Sequence, residues 1–309
     1  SPIYEMIRYH FGYDGPEPGR RGKRLRPLLL LGVAQVEGGS IADALDAAVA
    51  IEVLHNYSLV HDDIEDGDEL RHGRKTIWAR FGVAHGINAG DAMCAMAYLA
   101  LLRNETNLPQ ERLSAMLRVL HEANLKMCEG QGLDISFETL TSVTMEQYLA
   151  MIAGKTGALF AASCELGALS AGAGETRAQA WASLGRAYGR AFQIRDDVLG
   201  TWGATNVTGK PCGADVARRK WSFPIVWALG QEPSPERDLV ARAYILGAQL
   251  DEGGVTEVIA ALGRLGAREA ADTAYEAALH EAQEVALTSN IDAAGTIRGF
   301  FQQGARRVA

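Results

Sequence analysis

The run Ile41 to Asp66 limits the fold more than any other part of the chain. Its apolar residues are mostly Ala, Leu, Val and Ile, and they recur at helical spacing without strand-like alternation. It closes on His61-Asp62-Asp63-Ile64-Glu65-Asp66-Gly67-Asp68-Glu69. On a helix, Asp62 and Asp66 fall one turn apart on the same face, with Asp63 beside them. Carboxylates crowded in this way repel one another, and a fold tolerates the repulsion when a cation sits between them. Hard oxygen donors at this spacing suit magnesium better than zinc. Taken alone, the stretch is equally well read as a solvated acidic helix end. A second stretch, Phe192-Gln193-Ile194-Arg195-Asp196-Asp197, again ends an apolar helical run in an aspartate pair. The expectation is two acidic helix ends facing each other across a cavity.

Helical spacing continues through most of the chain. It predicts helices over Tyr4 to Phe11, Arg26 to Val36, Ile87 to Leu102, Glu111 to Glu129, Thr144 to Leu169 and Ala178 to Leu199. Towards the end it predicts Pro235 to Leu246, Val255 to Leu262 and Glu269 to Leu287. Pro27 belongs in a first helical turn, where its missing N–H costs least, and Gly38-Gly39-Ser40 stops one helix and caps the next. Gly130, Gln131 and Asp134 read as an interruption after Glu129, with polar groups capping locally. Gly200 to Lys220 reads as a long, glycine-rich loop with a basic end, the kind that tends to carry function. No linker-like break or solenoid-period repeat is present, so the reading is one all-α domain over residues 1–309.

The net charge is −8, and no basic patch is rich in aromatics, so nucleic acid is not an expected partner. The four cysteines, Cys94, Cys128, Cys164 and Cys212, lack metal-ligand spacing and read as reduced thiols of a cytoplasmic protein. No apolar run is expected to approach the ~20 residues of a membrane span, and the first residues lack a signal-peptide layout.

Basic groups follow or precede the acidic ends. Lys23, Arg24 and Arg26 surround a helix start preceded by glycine, where backbone N–H groups and the helix dipole favour a phosphate. Arg71, Arg74 and Lys75 come directly after the first acidic end, and Lys210, Arg218, Arg219 and Lys220 after the second. Acidic metal-binding ends alternating with basic turns describe a site for magnesium diphosphates. Lys155, beside Thr156 in an apolar helix, either meets an anion or reaches to the surface. His55 lies two turns before Asp62 on the same face, where a core histidine is the ordinary reading. Gln193 precedes the second aspartate pair and points to the same region. Tyr57, Phe160 and Phe192 read first as core.

Gly22-Lys23-Arg24-Leu25-Arg26-Pro27, Asp62-Asp63-Ile64-Glu65-Asp66 with Leu70-Arg71-His72-Gly73, Gly154-Lys155-Thr156 and Phe192-Gln193-Ile194-Arg195-Asp196-Asp197 together resemble the trans-isoprenyl diphosphate synthases. Their order and separations match from about residue 4 to the end. The resemblance implies the isoprenoid-synthase fold, a helical bundle around a deep central cavity. It implies a homodimer that condenses isopentenyl diphosphate onto an allylic diphosphate. By position, Asp62, Asp66 and Asp196 would hold three magnesium ions, supported by Asp63 and Asp197. Lys23, Arg26 and His55, with His72 nearby, would bind isopentenyl diphosphate. Arg71, Lys155, Thr156, Gln193, Lys210 and Lys220 would bind the allylic diphosphate. Tyr57 and Ser58, just before the first motif, would set chain length; the aromatic at Tyr57 resembles synthases that stop at geranylgeranyl diphosphate, with farnesyl diphosphate the close competitor.

Three positions depart from the family pattern. Gly200 stands where the second motif usually has a further aspartate, which implies reduced metal ligation. His72 stands where a second arginine is usual, with Arg74 expected to compensate, and Trp221 replaces a lysine after Lys220. A terpene-cyclase-like enzyme acting on a preformed prenyl diphosphate is the competing reading that His72 keeps open. The retained Lys23, Arg26 and His55 argue against it.

Overall fold

The computed structural model describes residues 1–13, 22–103, 108–204, 212–245 and 250–306. Among these residues the chain is helical apart from one short hairpin, as the apolar spacing requires. It divides into two compact units, residues 1–121 with 162–178, and residues 122–161 with 179–309.

In the first unit the main elements are α1 (Pro2–His10), α2 (Leu25–Val36), α3 (Ile41–Glu65), strands β1 (Leu70–Arg71) and β2 (Arg74–Lys75), α4 (Ile77–Phe81) and α5 (Val83–Leu102). α3 packs against both α2 and α5. Leu29, Leu30 and Val33 of α2, Ile51 and Leu54 of α3, and Met93 of α5 are completely buried. Each contributes roughly 1.5–3 kcal/mol of hydrophobic stabilisation. Ser40 starts α3, its Oγ accepting from the Asp43 N–H at 3.1 Å. Gly67, with φ +64°, ends it: the Gly67 N–H donates to Ile64 O, and the Asp68 N–H donates to Asp63 O at 2.8 Å. This Schellman arrangement fixes where the acidic stretch leaves the helix. α5 approaches the same end closely because Gly86 and Gly90 have no side chains. A Cβ at Gly86 would lie 2.8 Å from Ile64 Cδ1, and one at Gly90 would overlap the His61 ring.

The basic turn after α3 is the two-stranded hairpin, with Leu70 opposite Lys75 and Arg71 opposite Arg74. His72 and Gly73 form its tip, both at positive φ (54° and 79°), as a two-residue hairpin loop demands.

The second unit takes in most of α6 (Gln110–Phe137), then α7 (Met145–Ile152), a π-helical turn Ala153–Gly157 and the start of α8 (Ala158–Ser170). It continues with most of α9 (Glu175–Trp202), α10 (Ala214–Ala217), α11 (Phe223–Leu229), α12 (Pro235–Tyr244), α13 (Glu252–Leu265), α14 (Ala267–Thr288) and α15 (Thr296–Arg306). Its core joins Tyr148, Ile194, Val198, Phe223, Ile225, Val258 and Leu262. Phe301 of α15 is fully buried and stacks on Tyr188 at 4.3 Å. Asp292 caps that last helix, accepting from the N–H groups of Ile297 and Arg298, each at 3.0 Å.

Several expectations are corrected here. α6 does not stop at Glu129 but runs unbroken to Phe137. Gly130 is a packing residue: its missing Cβ lets α6 touch the π-helical turn, where it would otherwise overlap the Lys155 backbone and lie 2.7 Å from Gly154 C. Gly154 answers it, since a Cβ there would lie 2.6 Å from Lys126 O. The loop after α9 is shorter than expected, because α9 reaches Trp202 and α10 lies within it. Met145–Ser170 is long and apolar enough to cross a membrane, contrary to the reading that no run approaches that length. Two thirds of its most apolar window is buried in the protein (67%), so its apolar character serves the interior. α11 and α15 were not foreseen from the spacing.

Gly130→Ala separates two effects of opposite sign. Helix propensity alone would favour alanine by roughly 0.8–1 kcal/mol, whereas overpacking against the Lys155 backbone costs about 1–3 kcal/mol. Thermal unfolding of the variant is expected to show a lower melting temperature; a higher one would mean that the helices do not touch there.

Candidate active site

In the first unit the acids are sorted by their surroundings. Asp63 is only 1% exposed, and its Oδ1 accepts from Arg71 Nε and Nη2, both at 2.8 Å. Asp62 and Asp66 are partly exposed and one turn apart, at the C-terminal end of α3. The negative end of the helix dipole disfavours carboxylates there. Arg71 offsets this for Asp63 by a charge-assisted pair. For Asp62 and Asp66, a hard divalent cation is the ligand that the chemistry suits.

A basic cluster occupies the same unit. Arg26 Nη1 donates to His55 Nε2 at 3.1 Å, so His55 accepts as a neutral imidazole. Burial, and then the positive charges of Arg26 and Arg71, hold its pKa well below the ordinary value. Lys23 is exposed at the start of α2, and Arg24 beside it donates to Tyr13 Oη at 2.8 Å. His10 pairs with Asn56, Nε2 to Oδ1 at 2.9 Å, and burial lowers its pKa to about 4. His72 is exposed at the hairpin tip. Arg74, its expected substitute, stacks on the Tyr9 ring at 4.3 Å and donates to Tyr9 O. Tyr57 is buried, with its ring edge-on to His61 at 5.7 Å, and Ser58 Oγ donates back to His55 O.

The second unit repeats the division. Asp196 is exposed, whereas Asp197 is 6% exposed and tied by three donors. Its Oδ2 accepts from Tyr148 Oη at 2.7 Å and from the Phe223 N–H at 2.8 Å, and its Oδ1 accepts from Gln193 Nε2 at 2.8 Å. Burial pushes the Asp197 carboxyl up to about 7 against these donors, and burial, with Asp197 next, pushes the Tyr148 hydroxyl well above its usual range. Gln193 Oε1 in turn accepts from Thr156 Oγ1 at 2.5 Å. Lys155 extends from the π-helical turn to Asp134 Oδ2 at 2.5 Å. π-Helical turns of this kind recur at functional sites because they re-aim side chains within a helix. Lys220, in the segment that joins α10 to α11, is partly buried, its backbone N–H donating to Asp215 O at 2.9 Å. Lys210 lies outside the described residues.

Asp134 and Tyr148 are the residues that sequence reasoning missed. Asp134, four residues after Gly130 and so on the same helical face, carried a signal that the supposed helix break concealed. Nothing in the sequence around Tyr148 marks it as a donor to an aspartate 49 residues away. Among the described residues no group of three or more His, Cys, Asp or Glu side chains converges on one metal position. Paired carboxylates on one helix face nonetheless fit magnesium, which takes one or two protein carboxylates and fills its remaining positions with water and substrate phosphate.

A family model described as polyprenyl synthetase matches residues 16–262. The chain belongs to the polyprenyl synthetase family. It is 40% identical over 240 residues to a (2E,6E)-farnesyl diphosphate synthase of Mycobacterium tuberculosis, a match covering 76% of this chain and 66% of that protein. It is 39% identical over 246 residues to a geranylgeranyl diphosphate synthase of the same organism, covering 78% of this chain and 69% of that protein. Among solved structures, a polyprenyl synthetase from Streptomyces coelicolor A3(2) superposes with a TM-score of 0.88 at 33% identity, over 100% of this chain and 92% of that one. The match thus spans just under two thirds of the length of the farnesyl diphosphate synthase.

The neutral state of His10 generates a pH dependence. Its pKa in the fold lies below the unfolded value, so the unfolded chain binds the proton first as pH falls. Stability from the neutral imidazole is whole above about pH 6.5 and is lost as pH falls towards about 4. Arg71, His72 and Arg74 add repulsion once the ring is charged. In melting curves taken from pH 7 to pH 4, wild type is expected to lose more stability than His10→Gln. Parallel curves would show that His10 is not held neutral.

Proposed function

We propose that the chain is a prenyltransferase that condenses isopentenyl diphosphate with an allylic diphosphate, giving a short-chain trans-prenyl diphosphate, most closely geranylgeranyl diphosphate. The observation that carries this reading is the paired sorting of aspartates. In each motif one member is buried and tied by protein donors, and its neighbours Asp62, Asp66 and Asp196 reach the solvent-accessible side of the helix end. Membership of the family and the names of the mycobacterial relatives support it.

In this reading Asp62 and Asp66 in the first unit, and Asp196 in the second, would serve as magnesium ligands, with Asp63 and Asp197 keeping the helix ends in place. Magnesium when bound supplies Lewis-acid stabilisation of the leaving diphosphate. Arg71 in the first unit, and Lys155, Lys210 and Lys220 in the second, would each add fixed positive charge to a bound diphosphate. Asp134 aims Lys155 from the π-helical turn, and Thr156 and Gln193 extend the hydrogen-bonded row that ends at Asp197. The allylic C–O bond breaks with its electron pair going to diphosphate, and the double bond of isopentenyl diphosphate attacks the allylic carbon. The proton lost from the adduct passes to the departing diphosphate, so no ordinary protein base is required. Lys23, Arg26 and neutral His55 bind isopentenyl diphosphate. Tyr57, buried on α3 and braced by His61, limits the chain length. A homodimer in the cytoplasm is the setting that the family reading implies.

The direct test offers magnesium, labelled isopentenyl diphosphate and dimethylallyl, geranyl or farnesyl diphosphate, with chromatography of the dephosphorylated products. Label in geranylgeraniol is the expected result, and label stopping at farnesol would shift the product assignment. Consumption of the allylic diphosphate to hydrocarbon without label would establish the cyclase-like reading instead. With the same assay, Tyr57→Ala should shift the product distribution to longer chains, and an unchanged distribution would remove Tyr57 from that role.

A further inference from the structure

Tyr9, near the end of α1, joins that helix to the basic hairpin. Met6 and Ile7 anchor α1 by burial, and the helix packs on α4 and α5. The next contacts reach in different directions. His10 pairs with Asn56 of α3, whereas Tyr9, only 7% exposed, meets the hairpin and α4. Its hydroxyl donates to Lys75 O at 2.8 Å, and its ring stands edge-on to Phe81 at 5.6 Å. Two guanidinium groups lie against the same ring, Arg74 at 4.3 Å and Arg80 at 4.1 Å from its centroid. Arg74 Nη1 also donates to Tyr9 O at 3.2 Å, at the negative end of the α1 dipole.

The hairpin register gives these contacts a purpose. Arg71 stands directly opposite Arg74, so the two side chains leave the same face, and like charges in that relation destabilise a strand pair. The two-residue tip His72-Gly73 fixes the register, so the strands cannot slide to separate them. The side chains part instead. Arg71 turns to Asp63 of α3, with both contacts at 2.8 Å, and Arg74 turns to Tyr9. An aromatic ring suits this task, because it attracts a guanidinium without offering a carboxylate that would compete with Asp63 for Arg71.

Resting on the magnesium diphosphate reading above, we propose that Tyr9 is a positioning residue for Arg71. By drawing the Arg74 guanidinium to its ring, Tyr9 leaves Arg71 on Asp63 at the end of α3, where its charge serves the allylic diphosphate. Arg74 then acts inside the protein, as the partner of Tyr9, and its place opposite Arg71 is what makes the ring necessary.

The test measures binding of farnesyl thiodiphosphate, an inert allylic analogue, by calorimetry on the full chain with magnesium, alongside melting temperature. Tyr9→Leu removes the ring and keeps an apolar side chain, and it should weaken binding by about tenfold. Tyr9→Phe keeps the ring for both arginines and should stay within about twofold of wild type. The double variant Tyr9→Leu with Arg74→Gln removes the charge that the ring takes up, so it should bind several-fold more tightly than Tyr9→Leu alone. A role confined to holding α1 in place would not be rescued by a change at Arg74. Unchanged binding in Tyr9→Leu, or a double variant no better than Tyr9→Leu, would overturn the positioning role while wild-type binding left the general reading intact. Failure of wild type to bind the analogue at any magnesium concentration would overturn both.

Discussion

Asp62, Asp63 and Asp66 end a long helix where its dipole is negative, and this placement governs the first unit. Every local feature adds to the repulsion unless a positive partner relieves it. Arg71 relieves it for Asp63 through two 2.8 Å contacts, which also anchor the hairpin to the helix end. Gly67 stops the helix before further acids join it, and Gly86 and Gly90 let α5 support it closely. The remaining carboxylates, Asp62 and Asp66, stay partly exposed on one face of the helix end.

The second unit reaches a similar result by different means. Asp197 is buried without an arginine and is held by neutral donors, Tyr148, Gln193 and the Phe223 N–H. Neutral donors do not fully offset the loss of solvent, which is why its carboxyl rises to about 7 whereas an ion pair serves Asp63. The row Thr156, Gln193, Asp197, Tyr148 links the π-helical turn of the Lys155 motif to α9 and α7, so residues far apart in sequence are set by one network. Glycines perform the same service for the backbone: Gly130 and Gly154 bring α6 against the turn and thereby place Asp134 beside Lys155.

The helical class was legible because apolar spacing of 3.6 is a property of each segment by itself. The acidic helix ends were legible as crowded charge, since Asp62, Asp63 and Asp66 do close α3 and Asp196 and Asp197 do lie on α9. Gly130 was misread, since glycine followed by polar groups looks like a stop in sequence and becomes a contact only when another helix is laid across it. Met145–Ser170 was misjudged for a related reason: whether an apolar run faces lipid or its own protein is decided by neighbours. Lys155 was left between solvent and an anion, and the partner present is Asp134. Trp221, a departure from the family pattern, is a core residue packed edge-on to Tyr244 at 5.7 Å.

The proposed chemistry requires Asp62, Asp66 and Asp196 to serve as divalent-cation ligands while Asp63 and Asp197 keep their protein donors. Anomalous diffraction from crystals grown with manganese and farnesyl thiodiphosphate tests this directly. The predicted result is manganese against the carboxylates of Asp62, Asp66 and Asp196, with Arg71 still on Asp63 and Tyr148 still on Asp197. Manganese bound at Asp63 or Asp197 in place of those donors, or none at either acidic helix end, would contradict it.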